Sequence, residues 1–169
     1  MDVRELLTGT FDRLPDLVRA AVDGLPADRL RWSPGPGTNS VGWLVWHLTR
    51  VQDSHIAELL DAEQVWVGAD WAAGFGLDPD PDNTGYAHTG EQVAAVAPRD
   101  AQVLIGYHEA VAARTRDYLG TLRPADLDRV VDENWDPPVT LGVRLVSVLS
   151  DDLQHAGQAG YVRGLAERA

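Results

Sequence analysis

"TLGVRLVSVLSDDLQHAGQAGYVRGL", residues 140–165, has the apolar spacing of a long amphipathic helix, which we predict over about residues 141–165. Its apolar stripe consists of Leu141, Leu145, Val148, Ala159 and Val162. Asp151, Asp152 and His155 fall on or beside that same stripe, where burying an apolar side chain would cost less free energy. Burying such groups without partners costs several kcal/mol. The sequence therefore raises the question of what these polar side chains bind.

The composition is that of one globular domain. The chain has 169 residues, of which 44% are hydrophobic and 24% charged, and we expect a single domain over residues 1–169. A net charge of -12 argues against nucleic acid or a membrane surface as partner, because both attract basic proteins. The absence of cysteine excludes disulfides, thiolate nucleophiles and zinc–thiolate sites. Residues 1–14 are acidic rather than a signal peptide, so we expect a cytoplasmic protein.

Three further segments have helical periodicity. They cover about residues 2–24, 41–61 and 100–122. Pro15 predicts a kink or a break in the first of them. Asn39 or Ser40 can cap the second helix, and Thr89 with Gln92 forms a capping box ahead of the third. Four long helices in a small chain predict an all-α four-helix bundle.

Two long connections join these helices as crossovers. The first, residues 66–86, is rich in Gly, Pro and Asp, and loops of this length in a compact domain are usually functional or disordered. We expect it to cover the open side of a site, with Trp66, Trp71 or Phe75 supplying apolar lining. The second, residues 123–139, leads to the fourth helix.

A possible metal site follows from the positions of two histidines and an aspartate. Asp151 and His155 are four residues apart, so their side chains point from one helix face one turn apart. His47 shares a face of the second helix with Leu44, Leu48 and Val51. Together the three polar side chains could hold one divalent ion and leave positions open for water or substrate. The spacing alone also fits two other interpretations, which are commoner in proteins: a hydrogen-bonded core histidine and a simple Asp–His pair on a helix surface.

Three segments carry a resemblance to a known family. They are "SVGWLVWHLTRVQ", "FGLDPDPDNTGYAHTGEQVAAV" and "VRLVSVLSDDLQHAGQAGYVRGL". Together they resemble the DinB-like superfamily, and more narrowly the branch that includes mycothiol-dependent maleylpyruvate isomerase and actinobacterial mycothiol transferases. The resemblance extends over nearly the whole chain, and it implies a DinB-like four-helix bundle.

The resemblance also implies a divalent metal, zinc or nickel, as cofactor. Carried over residue by residue, its ligands are His47, Asp151 and His155. Many members have a histidine at the position of Asp151, whereas the isomerase-like members also use a carboxylate. Asp152 is the rival carboxylate ligand, three residues before His155.

The implied activity is that of a transferase or isomerase that uses a thiol. A metal ion with open positions lowers the pKa of a bound thiol or water. With no cysteine in the chain, the thiol would be a co-substrate, mycothiol or a similar low-molecular-weight thiol, and its partner a small electrophilic molecule. Arg144 is a candidate to bind an acidic group of either molecule, and Trp43 and Trp46 flank His47 as candidate walls of the pocket.

Two alternatives remain open at this point. One is a non-catalytic, stress-related bundle that binds a metal or a small molecule. The other is a metal-free structural dimer in which Asp151 pairs with Arg144 or Arg163. Bundles of the family often form homodimers, but we see no exposed apolar stripe in the sequence that would require one.

Overall fold

The first long helix of the sequence prediction is two helices. The computed structural model describes all 169 residues, and it begins with α1 (Val3–Phe11) and α2 (Leu14–Val22). The break falls between these helices, and Pro15 lies in the first turn of α2, where a missing N–H costs nothing. The Gly- and Pro-rich segment that follows contains the short helix α3 (Ala27–Arg31).

The second predicted helix and the crossover after it are confirmed in outline. α4 (Val41–Leu60) begins after Ser40, whose hydroxyl accepts a hydrogen bond from the backbone N–H of Trp43 at 3.1 Å. Two single-turn helices interrupt the crossover, α5 (Val65–Gly68) and α6 (Trp71–Gly74). The capping box at Thr89 and Gln92 opens α7 (Gly90–Ala95), as predicted.

The third and fourth long helices agree with the prediction to within one or two residues. They are α8 (Ala101–Thr121) and α9 (Leu141–Ala166). The connection between them contains regular structure that the sequence did not predict. It contains a 3-10 helix (Pro124–Asp128) and the strands β1 (Val130–Asp132) and β2 (Val139–Thr140), which pair antiparallel. The fold class, an all-α bundle with long crossovers, is confirmed.

The bundle has α4 and α2 each packed against both α8 and α9. α4 and α9 run antiparallel, since His47 contacts His155 while His55, farther along α4, contacts Arg144, which is earlier in α9. The long helices are amphipathic, and their apolar faces meet in two clusters of buried residues. None of the helices has both the length and the apolar character needed to cross a membrane.

A layer of buried polar residues separates the two apolar clusters. One cluster includes Leu44 and Leu48 of α4 with Ala156 and Ala159 of α9, and the other includes Ile56 of α4 with Leu141, Leu145 and Val148 of α9. Between them along the helices lie Thr49, Gln52, Thr115 and Asp152, all buried, and the buried His108 of α8 contacts Thr49. Two contacts join members of the layer, Thr49 Oγ1 to His108 Nδ1 at 3.1 Å and Gln52 Nε2 to Thr115 Oγ1 at 2.7 Å. His47 of α4, and Asp151 and His155 of α9, are close in sequence to the members of this polar layer on the same helices.

Candidate metal centre

α4 and α9 bring His47, Asp151 and His155 together. One potential ligand atom from each side chain lies within 4.8 Å of the other two. The two imidazole rings meet edge to face with their centroids 4.7 Å apart. Zinc binds nitrogen and oxygen ligands at about 2 Å, and His47, Asp151 and His155 are the residues that would hold one such ion between them.

Backbone carbonyls fix the tautomer of both histidines. His47 Nδ1 lies 2.5 Å from the carbonyl oxygen of Thr84, and His155 Nδ1 lies 2.9 Å from that of Asp151. A carbonyl oxygen can only accept, so each Nδ1 carries the proton and donates it. The unprotonated nitrogen of each neutral ring is therefore Nε2, which is the arrangement found around metal-binding histidines.

Asp151 contributes a carboxylate oxygen that has no hydrogen-bond partner. Its Oδ2 is buried and lies 3.5 Å from His155 Nδ1, whose proton is already donated to the Asp151 carbonyl oxygen. Leaving a carboxylate oxygen buried and unpartnered is costly, and a bound cation removes that cost. The donor set of two imidazoles and one carboxylate fits a divalent ion of the zinc or nickel type.

The structure separates Asp151 from its rival, Asp152. Asp152 is fully buried in the polar layer, and neither of its carboxyl oxygens has a hydrogen-bond partner. Burial, with a further contribution from Asp151, raises the pKa of the Asp152 carboxyl well above its ordinary value. Asp152 is not one of the side chains that cluster with the two histidines.

Burial also keeps His47 in its neutral form. Desolvation is the largest cause that lowers the pKa of His47, and His155 and His88 lower it further. The Thr84 carbonyl and Asp151 act in the opposite direction without cancelling the effect of burial. A histidine must be neutral to bind a metal ion, so the lowered pKa favours binding at neutral pH.

A cavity of about 450 Å³ opens beside the cluster. Its lining residues are His47, Val51, Ser54, His55, Thr84, Tyr86, Ser147, Val148 and Asp151. Thr84 and Tyr86 belong to the long crossover, so this segment does form one wall of the site. The three aromatic residues expected to line it do not, since Trp66 and Phe75 are fully buried in the core and Trp71 packs on Tyr107.

Gly85 allows the crossover to lie directly on the site. Its backbone has a φ of +92°, a region that favours glycine. A Cβ at this position would lie 2.8 Å from His47 Nδ1 and 2.9 Å from Trp46 Cζ3. Only glycine therefore lets the neighbouring Thr84 carbonyl reach His47.

Arg50 of α4 binds the part of the crossover just before Thr84. Its guanidinium, fully buried, donates to the carbonyl oxygens of Asn83 at 3.0 Å and Pro81 at 2.9 Å. It also donates to Gln64 at 2.7 Å and lies 3.5 Å from the carboxylate of Asp53. The buried charge is thus paired and hydrogen-bonded, and it fixes the backbone immediately before Thr84.

Trp43 and Trp46, the candidate walls of the pocket, pack around the histidines. Trp43 stacks on His47 with centroids 4.6 Å apart, and its indole N–H donates to His88 Nδ1 at 3.2 Å. Trp46 is fully buried and stacks on His88 with centroids 5.7 Å apart. Neither indole lines the cavity, and a role in binding a thiol stays a prediction.

Arg144, the other predicted binding residue, is already paired. It contacts Glu58 at 2.7 Å, Asp132 at 3.1 Å and His55 Nδ1 at 3.0 Å. Its role in binding an acidic group also stays a prediction. Arg163 pairs with Glu167, so neither arginine pairs with Asp151 within the chain.

Several residues of the site gave little or no sequence signal. Ser54, His55 and Ser147 line the cavity, although His55 falls away from the face that carries His47 on a helical projection. The contribution of Thr84 is a backbone carbonyl, which side-chain identity cannot reveal. The positive φ of Gly85 could not be predicted from the sequence either, because the residue lies in a run of turn-forming residues.

The fold and this site define a class of protein: a four-helix bundle with a His–Asp–His cluster between its second and fourth long helices. Residues 10–159 match the DinB superfamily, and the chain belongs to that superfamily. A solved structure from Enterococcus faecalis, described as a conserved protein of locus, is similar along the whole chain. The two share 34% sequence identity with a TM-score of 0.91, and the match covers 100% of this chain and 99% of the other. Among curated proteins no match was found.

Proposed function

We propose that the chain binds one divalent metal ion, zinc or nickel, through His47, Asp151 and His155. We further propose that it acts as a transferase or isomerase that uses a low-molecular-weight thiol of the mycothiol type on a small electrophilic molecule. The observation that carries the proposal is the convergence of two imidazoles and an unpartnered carboxylate oxygen beside an open cavity. The resemblance to the mycothiol-dependent branch supports the choice of thiol.

When bound, a divalent ion supplies a Lewis acid that lowers the pKa of a thiol. The chain's own residues prepare that site. Hydrogen bonds to backbone carbonyls set the tautomers of the His47 and His155 rings, so that each ring presents its Nε2. Asp151 supplies the one negative charge of the donor set. One carboxylate against a divalent ion leaves a net positive charge, which attracts a thiolate.

The cavity gives the reactants a place beside the ligands. Ser54, Ser147 and His55 offer polar groups along its wall, while Val51 and Val148 offer apolar surface. Arg144 donates to His55 Nδ1, so the proton of neutral His55 is on Nε2, which makes the ring a fixed donor toward a ligand. The chain has no cysteine of its own, so a thiol nucleophile has to enter this cavity as a co-substrate.

The test measures thioether formation between mycothiol and chlorodinitrobenzene, with the protein reconstituted with zinc or nickel. We expect turnover that chelation abolishes and that His47→Ala lacks. His55→Gln is the matched control, because His55 lines the same cavity without belonging to the ligand cluster, and it should still bind metal. Metal binding without thiol chemistry would support the non-catalytic alternative, and turnover that persists in metal-free protein would contradict the proposal.

A further inference from the structure

A second cavity lies between the C-terminal half of α9 and the loop that precedes α4. Its volume is about 600 Å³, larger than the cavity of about 450 Å³ beside the metal centre. Leu44 of α4 with Val162 and Leu165 of α9 gives it an apolar wall. The ring of Tyr161, exposed by 71%, also lines it. This volume and lining are typical of a small-molecule site, and we call it the apolar cavity.

None of the residues that line the apolar cavity is charged. The cavity beside the metal centre differs in this respect, since its lining includes Asp151, His47 and His55. The whole chain has a net charge of -12, so an anion would be repelled by its surroundings and would find no basic partner in the lining. A cation would find no carboxylate there to offset its desolvation. The apolar cavity therefore suits an uncharged molecule.

Two amide side chains, those of Asn39 and Gln158, give the apolar cavity hydrogen-bonding groups. The third polar side chain, Thr38, already donates its hydroxyl proton to the carbonyl oxygen of Gly35 at 2.6 Å. Each amide offers both donors and an acceptor. A ligand with neutral acceptors, such as nitro or carbonyl groups, can therefore be oriented in this cavity without carrying a charge.

The candidate metal centre lies between the two cavities along α4 and α9. Leu44 is three residues before His47, and Gln158 is three residues after His155. Because the two helices are antiparallel, both residues lie on the same side of the ligand cluster, and the cavity beside the metal centre extends in the opposite direction. Three residues of a helix span about 4.5 Å. The near end of the apolar cavity is thus about one helical turn from the ligands.

Gly157 keeps the apolar cavity open. It is exposed and lines the cavity, and a Cβ built there meets no atom within 4 Å. Glycine inside a helix lowers stability relative to alanine, and neither a positive φ nor a close contact requires glycine at this position. The missing side chain leaves volume that a ligand can occupy.

We propose that the apolar cavity binds the electrophilic co-substrate, and that this molecule is uncharged, with an apolar body and neutral hydrogen-bond acceptors. The inference rests on the proposed function, because it assigns a site to one of the two reactants. The thiol then has the cavity beside the metal centre, whose wall carries Ser54, Ser147 and His55. Each reactant would lie on its own side of the ligand cluster.

Nuclear magnetic resonance of metal-free protein tests this site without requiring catalysis. The probe is meta-dinitrobenzene, an uncharged analogue of chlorodinitrobenzene without the leaving group. We expect it to shift the side-chain amide signals of Asn39 and Gln158. Gly157→Leu should weaken binding at least about 10-fold, because the new side chain fills the cavity.

Gly160→Leu is the matched control. Residue 160 is exposed on the same helix, a Cβ there also meets no atom within 4 Å, and it does not line the apolar cavity. This variant should bind meta-dinitrobenzene as the wild type does. Equal binding by Gly157→Leu and Gly160→Leu would overturn the proposal, and so would shifts confined to the cavity beside the metal centre.

Dinitrobenzoate, which adds a carboxylate to the same ring, tests the charge argument. It should bind the wild type at least about 10-fold more weakly than meta-dinitrobenzene, because the lining offers no cation. Equal affinities of the two probes would overturn the choice of an uncharged ligand. Failure of the proposed function gives a different pattern, in which meta-dinitrobenzene binds as expected but the chlorodinitrobenzene assay shows no turnover. That pattern would overturn the assignment to a co-substrate and leave the binding site.

Discussion

Gly85→Ala should damage the metal centre without touching a ligand. The residue has a φ of +92°, and a new Cβ would lie 2.8 Å from His47 Nδ1, 2.9 Å from Trp46 Cζ3 and 3.2 Å from Trp43 Cζ2. Because the two tryptophans are buried and closely packed, they cannot shift to make room for the new Cβ. The backbone of the crossover therefore has to move. Its movement withdraws the Thr84 carbonyl, and His47 loses the acceptor that fixes its tautomer.

The magnitude follows from two costs. Alanine at positive φ costs about 1–2 kcal/mol, and the close contacts add roughly 1–3 kcal/mol of overpacking. For a chain of this size, the sum of about 2–5 kcal/mol lowers the melting temperature by roughly 5–15 °C. Removing a hydrogen bond that orients a metal-binding histidine typically costs about 10–100-fold in metal affinity, and we expect a loss in that range.

Gly76→Ala is the control that separates the effect of the close contacts at residue 85 from the effect of backbone strain. Gly76 also has a positive φ, +71°, but a Cβ there meets nothing within 4 Å. Chemical denaturation of metal-free protein gives both changes in stability, and calorimetric titration with zinc gives both affinities. We expect Gly76→Ala to lose about 1–2 kcal/mol of stability and to bind zinc as the wild type does. Equal zinc affinities in the two variants would refute the role assigned to the Thr84–His47 hydrogen bond.

Two further predictions concern the buried polar layer and the crossover. Burial lowers the pKa of His108 from 6.5 to about 4, so the unfolded chain takes up a proton first as the pH falls. Metal-free wild type should therefore lose roughly 3 kcal/mol between about pH 6.5 and pH 4 relative to His108→Gln, and parallel stability curves for the two proteins would refute this. Arg50→Met leaves Asp53 buried without its ion-pair partner and should cost about 3–5 kcal/mol in urea denaturation. It should also expose residues 80–83 to proteolysis, and wild-type resistance there would show that Arg50 does not hold the crossover.

Helix ends were predictable because their signals are side chains. Ser40 caps α4, and Thr89 with Gln92 caps α7, as local sequence chemistry requires. The ends of α8 and α9 could also be predicted, from the apolar periodicity of the two segments. The small hairpin before α9 was not, because strands of three and two residues are too short to show alternation.

The choice between Asp151 and Asp152 illustrates what periodicity leaves open. Consecutive residues on a helix differ by about 100°, which is comparable to the width of the buried face. Which of the two carboxylates reaches His47 depends on the rotation of α9 against α4 and α2, and that is set by packing of the whole bundle. The partners of Arg144 were unpredictable for a related reason, since Glu58 and Asp132 belong to elements distant in sequence.

The central claim is that Asp151, with two histidines, binds a divalent metal ion. Zinc titration of metal-free protein by calorimetry tests it most directly when Asp151→Asn is compared with Asp152→Asn, the same chemical change at the next residue. We predict one equivalent of zinc in the wild type, similar affinity in Asp152→Asn, and an affinity weaker by about 100-fold or more in Asp151→Asn. Wild-type affinity in Asp151→Asn, or a loss confined to Asp152→Asn, would contradict the account.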